Sequence, residues 1–144
     1  MIGGVPESAA PATVRVVITA EPLAIPAEER SREGRDGAVL EFYGVVRDTE
    51  DGRAIEAIDY ECHLSMAQAQ LERIARETAA RHSLSELIVL HRIGVVPAGE
   101  PSLYVRTLAP HRGPALAAVA ELIEDLKRDV PIWKHPIERR GAEA

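Results

Sequence analysis

The apolar residues of this chain switch between two spacings, the two-residue period of strands and the period of about 3.6 residues of helices. The helical period occupies residues 64–82 and returns from Pro114 to Val130, where Pro131 stops it. Runs of strand character fill segments 13–20, 38–47, 54–62, 86–94 and 102–109. This order lacks the regular strand–helix alternation that builds a parallel sheet. We therefore predict an α+β fold with a mainly antiparallel sheet and two principal helices.

Turn signals predict how the strands pair. An Asp-Gly turn lies between the strands at 38–47 and 54–62, so we predict that these two strands form an antiparallel pair. Pro97 and Gly99 mark VVPAGE as a turn, which predicts a second hairpin after the first helix. The second helix should bury one apolar stripe, formed by Leu116, Val119, Ala120, Ile123, Leu126 and Val130.

Length and composition predict the domain boundaries. A chain of 144 residues can bury about two thirds of its unfolded surface around a single core. Residues 1–12 are rich in glycine, proline, alanine and serine without a period, which indicates a flexible leader. We expect one domain over residues 13–136 and a C-terminal tail over residues 137–144.

The charge and the cysteine count exclude several classes of function. A formal charge of -6 argues against a protein whose main task is to bind nucleic acid or an anionic membrane. The single cysteine, Cys62, excludes an internal disulfide framework and a multi-cysteine zinc site. The histidines lack metal-ligand spacing, so we predict neither a metal nor another cofactor. Without a signal peptide or a long apolar run, we expect a cytoplasmic protein that spans no membrane.

The stretch LKRDVPIWKHP carries two candidate lysines. On a helical projection Lys127 falls about 20° from Leu116 and about 40° from Ile123. It therefore either extends from the rim of the stripe to water, as last-turn lysines commonly do, or points into a cleft that needs a charge. Lys134 follows Pro131 and Trp133, and a buried indole would hold the backbone beside it. The alternative is a tryptophan that seals the core next to an ordinary surface lysine.

Other cations lie at the ends of predicted elements. His111 and Arg112 stand where a strand meets the N-terminus of the second helix, and free N–H groups there favour a phosphate or a carboxylate. Arg47 ends a strand before a charged loop, where a functional and a solvated side chain are both common.

Four further residues have mainly structural interpretations. The dipeptide formed by His91 and Arg92 lies inside a strand and is more often structural. Glu61 is a carboxylate on an apolar strand, where it could pair with one of the arginines. The thiol of Cys62 is more commonly a buried group than a nucleophile.

Five stretches in this order resemble the family of large, catalytic subunits of molybdopterin synthase, the MoaE family. The resemblance runs from about residue 13 to residue 134, and the combination is specific although each piece alone is weak. The stretches are DGAVLEFYGVVR, YECHLSMA, LIVLHRIGVVPAGE, APHRGPA and LKRDVPIWK.

The resemblance implies a fold, an assembly and a reaction. The fold is of the α/β-hammerhead type, in a homodimer flanked by two small ubiquitin-like sulfur-carrier subunits, which makes a heterotetramer. The thiocarboxylated C-terminus of the small subunit donates sulfur to cyclic pyranopterin monophosphate, and two transfers form molybdopterin. The implied catalytic residues are Lys127 and Lys134, and the implied substrate-binding residues are Arg47, His111 and Arg112.

One departure from the family pattern leaves a rival interpretation open. The family usually continues with a basic residue and a glutamate after Lys134, where this chain has His135 and Pro136. A non-catalytic relative that binds or scaffolds the small subunit is therefore the first alternative. An unrelated phosphate-binding domain would explain a basic pocket but not the ordered set of stretches.

Overall fold

The protein is described by a computed structural model over residues 11–27 and 34–141. In these two ranges, ten elements follow one another: β1 (Thr13–Thr19), β2 (Ala38–Val45), β3 (Thr49–Glu50), β4 (Arg53–Cys62), α1 (Leu64–Arg81), β5 (Glu86–Arg92), β6 (Gly94–Pro97), β7 (Pro101–Ala109), α2 (Arg112–Asp129) and β8 (Ile132–Glu138). The predicted α+β class with two principal helices is confirmed. Among the described residues, neither helix combines the length and the hydropathy that a membrane span requires.

The strands form two sheets. The first has the order β1-β5-β7-β2, in which only the β1–β5 pair is parallel. The second is built around β4, which pairs with β3, β6 and β8 in antiparallel fashion. The predicted hairpin across the VVPAGE segment is confirmed as the antiparallel β5–β7 pair. Part of that segment is itself strand β6 rather than a turn, because its backbone pairs with β4.

The predicted pairing of strand 38–47 with strand 54–62 is wrong. β2 pairs with β7 over Ala38–Val45. The Asp-Gly turn instead closes the short β3–β4 hairpin, in which Asp51 and Gly52 both have positive φ, 50° and 78°. Two successive residues with positive φ are the signature of a type I′ turn, whose twist matches a two-residue hairpin. The turn was correctly located, but it joins a strand too short to recognise in the sequence.

Strand β8 was not predicted because Pro136 lies inside it. A proline has no N–H to donate, so it is tolerated on a strand that pairs on one side only. Among the strands of the described residues, β8 pairs with β4 alone. The strand includes Ile137 and Glu138, the first two residues of the expected tail. Most of the expected leader, residues 1–10, lies outside the described residues.

Both helices cover the same face of the first sheet. α1 and α2 pack on each other and on its strands, and their apolar residues share one large core cluster. The buried residues of α2 are Ala115, Ala118, Val119, Leu122 and Leu126. Half of the predicted stripe is confirmed, because Val119, Leu126 and Val130 are buried, but Leu116 is 55% exposed and Ala120 is exposed. The buried face is thus shifted towards Ala115, Ala118 and Leu122. The alanines explain the shift, because small residues let the helix lie close to the sheet on the face that carries them.

Candidate functional site

Helix α2 carries candidate residues at both ends. His111 is its N-cap and Arg112 its first residue, while Lys127 lies in the last turn. All three are exposed. Arg112 and Lys127 are 15 positions apart, which separates their Cα atoms by about 22 Å along the axis. A single chain therefore does not bring all the predicted site residues into one recess, because the helix is too long.

Arg47 lies at the same end of the first sheet as Lys127. The Gly37 N–H donates to the Pro110 carbonyl (3.1 Å), which places the start of β2 beside His111. Arg47 follows the other end of β2. Because α2 begins directly after β7 and packs on β7 and β2, it runs back over the sheet towards that other end. Arg47 and the last turn of α2 therefore lie on one side, and His111 on the opposite side.

Lys134 contacts the segment that follows Arg47. It lies on β8 opposite Tyr60, and its Nζ is 3.4 Å from Glu50 Oε1. Glu50 is three residues after Arg47, so their Cα atoms are at most about 11 Å apart. The contact with Glu50 was not predicted, because a glutamate beside a turn has no distinguishing signal in one sequence. The structure thus groups Arg47, Lys127 and Lys134 at one end of the molecule.

The expected anchoring of Lys134 by a buried tryptophan is wrong. Trp133 is 51% exposed. It lies on an edge strand opposite Glu61, and the ladder between β8 and β4 holds the backbone there instead. The hydrogen bond from the His63 N–H to the Pro131 carbonyl (3.4 Å) ties the start of this segment to the beginning of α1. Main-chain pairing, not an inserted indole, therefore fixes the path beside Lys134.

Four of the candidate cations have side chains available to a ligand. Within residues 11–27 and 34–141, no hydrogen bond or ion pair engages the side chains of Arg47, His111, Arg112 or Lys127. Among the described residues, Arg15 and Arg76 are likewise exposed without a hydrogen bond or ion pair, so this freedom alone does not mark a site. Position is the stronger signal. In the same described ranges, no group of three or more histidine, cysteine or acidic residues could hold a metal ion.

Three candidates with structural interpretations have such roles. His91 is 5% exposed, its Nδ1 donates to the Arg92 carbonyl (2.8 Å), and burial lowers the pKa of its imidazole. Arg92 pairs with Glu100 at 2.7 Å. Burial raises the pKa of the Cys62 thiol, which disfavours the reactive thiolate.

Glu61 has a different partner from the one the sequence suggested. Its Oε1 lies 2.9 Å from His135 Nε2, across the β4–β8 ladder, and not beside an arginine. The pair is exposed on both sides.

The comparisons with known proteins agree on one family. A family model described as MoaE protein matches residues 18–129. A molybdopterin synthase catalytic subunit from Oryza sativa subsp. indica is 44% identical over 101 residues, which are 70% of this chain and 52% of that protein. One from Pyrococcus abyssi is 35% identical over 105 residues, 73% of this chain and 71% of that protein. The chain thus spans about half the length of the rice relative.

A solved structure extends this similarity to the fold. The crystal structure of molybdopterin synthase from Staphylococcus aureus matches with a TM-score of 0.69 and 30% identity, covering 86% of this chain and 91% of that chain. Residues 18–129, which the family model matches, contain both helices and four of the five candidate residues, Arg47, His111, Arg112 and Lys127. From sequence and structure together, the chain belongs to the MoaE protein family.

Proposed function

We propose that this chain is the catalytic subunit of a molybdopterin synthase. It transfers sulfur from the thiocarboxylated C-terminus of a small ubiquitin-like subunit to cyclic pyranopterin monophosphate, and two transfers make molybdopterin. The observation that carries this proposal is the grouping of Arg47, Lys127 and Lys134 at one end of an otherwise acidic chain.

The chemistry of the two substrates explains why cations are needed. The pterin carries a phosphate and the partner's tail carries an anionic thiocarboxylate, so a chain of formal charge -6 must supply local positive charge. Lys127 contacts the tail's carbonyl oxygen and stabilises negative charge that develops there. Lys134 moves a proton or holds the pterin. Each transfer breaks the C–S bond of the tail, and water supplies the oxygen that leaves the tail as a carboxylate. Two thiocarboxylated partner molecules are therefore consumed for each dithiolene.

A homodimer reconciles the remaining two residues with the same site. His111 and Arg112 are about 22 Å from Lys127 along the axis of α2, so one chain cannot supply both groups to one substrate. A second copy can present its N-terminal end of α2 to the lysine end of the first. In that arrangement Arg112 contributes a bidentate donor and His111 a further donor to the phosphate.

The surface beside the lysine end is suited to a protein partner. Strand β2 is an edge of the first sheet, and Phe42, Tyr43 and Val45 on it are 37%, 46% and 49% exposed. Phe42 and Tyr43 project from opposite faces of β2, and the Tyr43 ring contacts that of Tyr104. An edge strand that exposes apolar side chains is a surface on which another protein can pack. We assign this surface to the small subunit, and the heterotetramer of two copies of each subunit follows. As the resemblance implies, the activity resides in residues 13–136 and the reaction occurs in the cytoplasm.

Direct reconstitution tests this function. The chain is incubated with thiocarboxylated small subunit and cyclic pyranopterin monophosphate, and the dithiolene product is quantified under single-turnover conditions. Product formation that requires all three components supports the proposal. Stable binding of the small subunit without any product would contradict it and would favour the scaffolding relative instead.

A further inference from the structure

The β3–β4 hairpin holds the strand that carries Lys134. Glu50 and Arg53 are register partners across this hairpin, yet they do not pair with each other. Arg53 Nη1 lies 2.8 Å from Glu138 Oε1, and Glu50 Oε1 lies 3.4 Å from Lys134 Nζ. Two ion pairs of opposite polarity therefore connect the hairpin to β8. The two β8 residues are four positions apart and so project from the same side of the strand.

The space between the hairpin and β8 is a groove of about 450 Å³, lined by Glu50, Asp51, Arg53, Ile55, Pro136 and Glu138. The groove itself is acidic, because three carboxylates and one guanidinium face it. The groove is consequently a poor site for the anionic substrates. The carboxylate of Glu50, however, can pair with an ammonium group beside the groove. Lys134 is the cation that uses Glu50.

The two members of this pair differ in their exposure. The side chain of Glu50 is 16% exposed, while that of Lys134 is 55% exposed. A carboxylate with little access to water needs a partner, and Lys134 Nζ is the one that contacts it among the described residues. A free lysine side chain samples many rotamers, at an entropy of about 2 kcal/mol. The shielded carboxylate reduces that freedom and directs the amine towards the segment of Arg47.

We propose that Glu50 is a positioning residue for Lys134. It holds the ammonium group of Lys134 at the Arg47 end of the molecule, so that the amine is in place when the substrates bind. This inference rests on the function proposed above, in which Lys134 serves the sulfur-transfer reaction. Glu50 itself touches neither substrate.

A double-mutant cycle on kcat tests this role. We expect Glu50→Gln to lower kcat about ten-fold with little change in the KM for the small subunit, because only the placement of the amine is altered. Glu138→Gln is the matched control, since it makes the same chemical change in the same groove and breaks the other ion pair. It should leave kcat within about two-fold.

The cycle separates this inference from the proposed function. In the Lys134→Ala background, Glu50→Gln should have no further effect on the residual rate, because a residue that acts through Lys134 has nothing left to position. An equal fold loss in both backgrounds would overturn the inference, as would an unchanged kcat in Glu50→Gln. Full activity of Lys134→Ala alone would instead refute the role assigned to Lys134 in the proposed function.

A spectroscopic measurement supplies a readout that does not depend on turnover. Lys127 and Lys134 are the chain's two lysines, so reductive methylation with ¹³C labels gives only these two ε-amine signals besides that of the N-terminus. Glu50→Gln should shift the Lys134 signal and leave the Lys127 signal in place, whereas Glu138→Gln should shift neither. A Lys134 signal that is insensitive to Glu50→Gln would overturn the inference.

Discussion

The two ends of α2 carry cations in opposite electrostatic settings. At the N-terminal end, His111 and Arg112 add to free backbone N–H groups and to the positive end of the helix dipole, which already favour an anion. At the C-terminal end the dipole disfavours an anion, and only side chains such as Lys127 can reverse that. Binding of an anion at the lysine end therefore depends on individual side chains, whereas at the other end the backbone N–H groups contribute as well.

The largest expected effect comes from removing the amine at the lysine end. We expect Lys127→Ala to lower the single-turnover rate by about 10²–10³-fold, because no backbone donor replaces the amine at a helix C-terminus. Thermal unfolding should be almost unchanged, since the side chain is exposed. The measurement is dithiolene formation at saturating small subunit.

Arg128 provides the matched control for this change. It is the next residue of the same turn, it is exposed, and it pairs with Asp125 and Asp129. Arg128→Ala should retain nearly full activity. If Arg128→Ala lost as much activity as Lys127→Ala, the general charge of this end would matter and not the position of Lys127.

Sequence patterns located most of the helices and strands because these depend on local period. They failed where long-range pairing decides the structure. β3 has two residues and β8 contains Pro136, so neither has a local signal, and both exist because β4 pairs with them. The same limit applies to Glu50, whose contact with Lys134 joins residues 84 positions apart.

The five candidate residues were singled out by their positions in the sequence, and the family resemblance supplied their implied roles, while their grouping depended on the fold. The resemblance implied that all five cations serve one reaction. The length of α2 and the direction of β2 divide them into a group of three and a group of two. The sequence pattern cannot predict the separation of these two groups, because it depends on the end of the sheet at which the fold places each residue.

A substitution at the N-terminal end of α2 should lower activity less than Lys127→Ala does, and mixing the two variants should restore part of the activity. We expect Arg112→Ala to lower kcat/KM for the pterin about ten-fold, since backbone donors of the helix remain to hold the phosphate. The Lys127→Ala and Arg112→Ala chains are then mixed under conditions of subunit exchange. Half of the dimers are mixed, and one of the two sites in each mixed dimer has both residues intact. The mixture should therefore recover about one quarter of wild-type activity.

Rescue on mixing distinguishes two arrangements of the site. If one chain supplied both residues to its own site, every site in a mixed dimer would retain a defect and activity would not recover. Size-exclusion chromatography of the two variants, separately and mixed, verifies that each remains a dimer. A dimer that exchanges subunits but shows no recovery would contradict the placement of Arg112 in the partner's site.

Acid pH should lower the free energy of unfolding, because His91 is buried in the sheet. This loss of stability must be distinguished from effects of pH on the candidate site. Burial lowers the pKa of His91, so the unfolded chain binds a proton that the folded chain resists. The contribution of neutral His91 to the free energy of unfolding is therefore fully present above about pH 6.5. It is lost as the pH falls through and below that value. One such group changes the free energy of unfolding by at most about 1.4 kcal/mol per pH unit.

Urea unfolding at several pH values measures this contribution. His91→Gln should flatten the decline in stability below about pH 6.5, while its stability at neutral pH falls because the Tyr60 ring loses its aromatic partner. An unchanged slope in His91→Gln would assign the acid sensitivity to other groups. Activity profiles of the two ends of α2 should be compared only above this range.

The smallest effect is expected at the residue that departs from the family pattern beside Lys134. His135 faces Glu61 across the ladder, with side chains that are 57% and 66% exposed. An exposed pair of this kind contributes about 0–1 kcal/mol, so His135→Ala should change the free energy of unfolding by no more than that and activity by less than about two-fold. The position of Lys134 depends instead on main-chain pairing with β4 and on Glu50, which His135→Ala leaves intact. Single-turnover rates and urea unfolding of the variant measure both quantities. A loss of activity comparable to that of Lys127→Ala would place His135 among the reacting groups. The lysine end would then contain an imidazole in addition to its three cations.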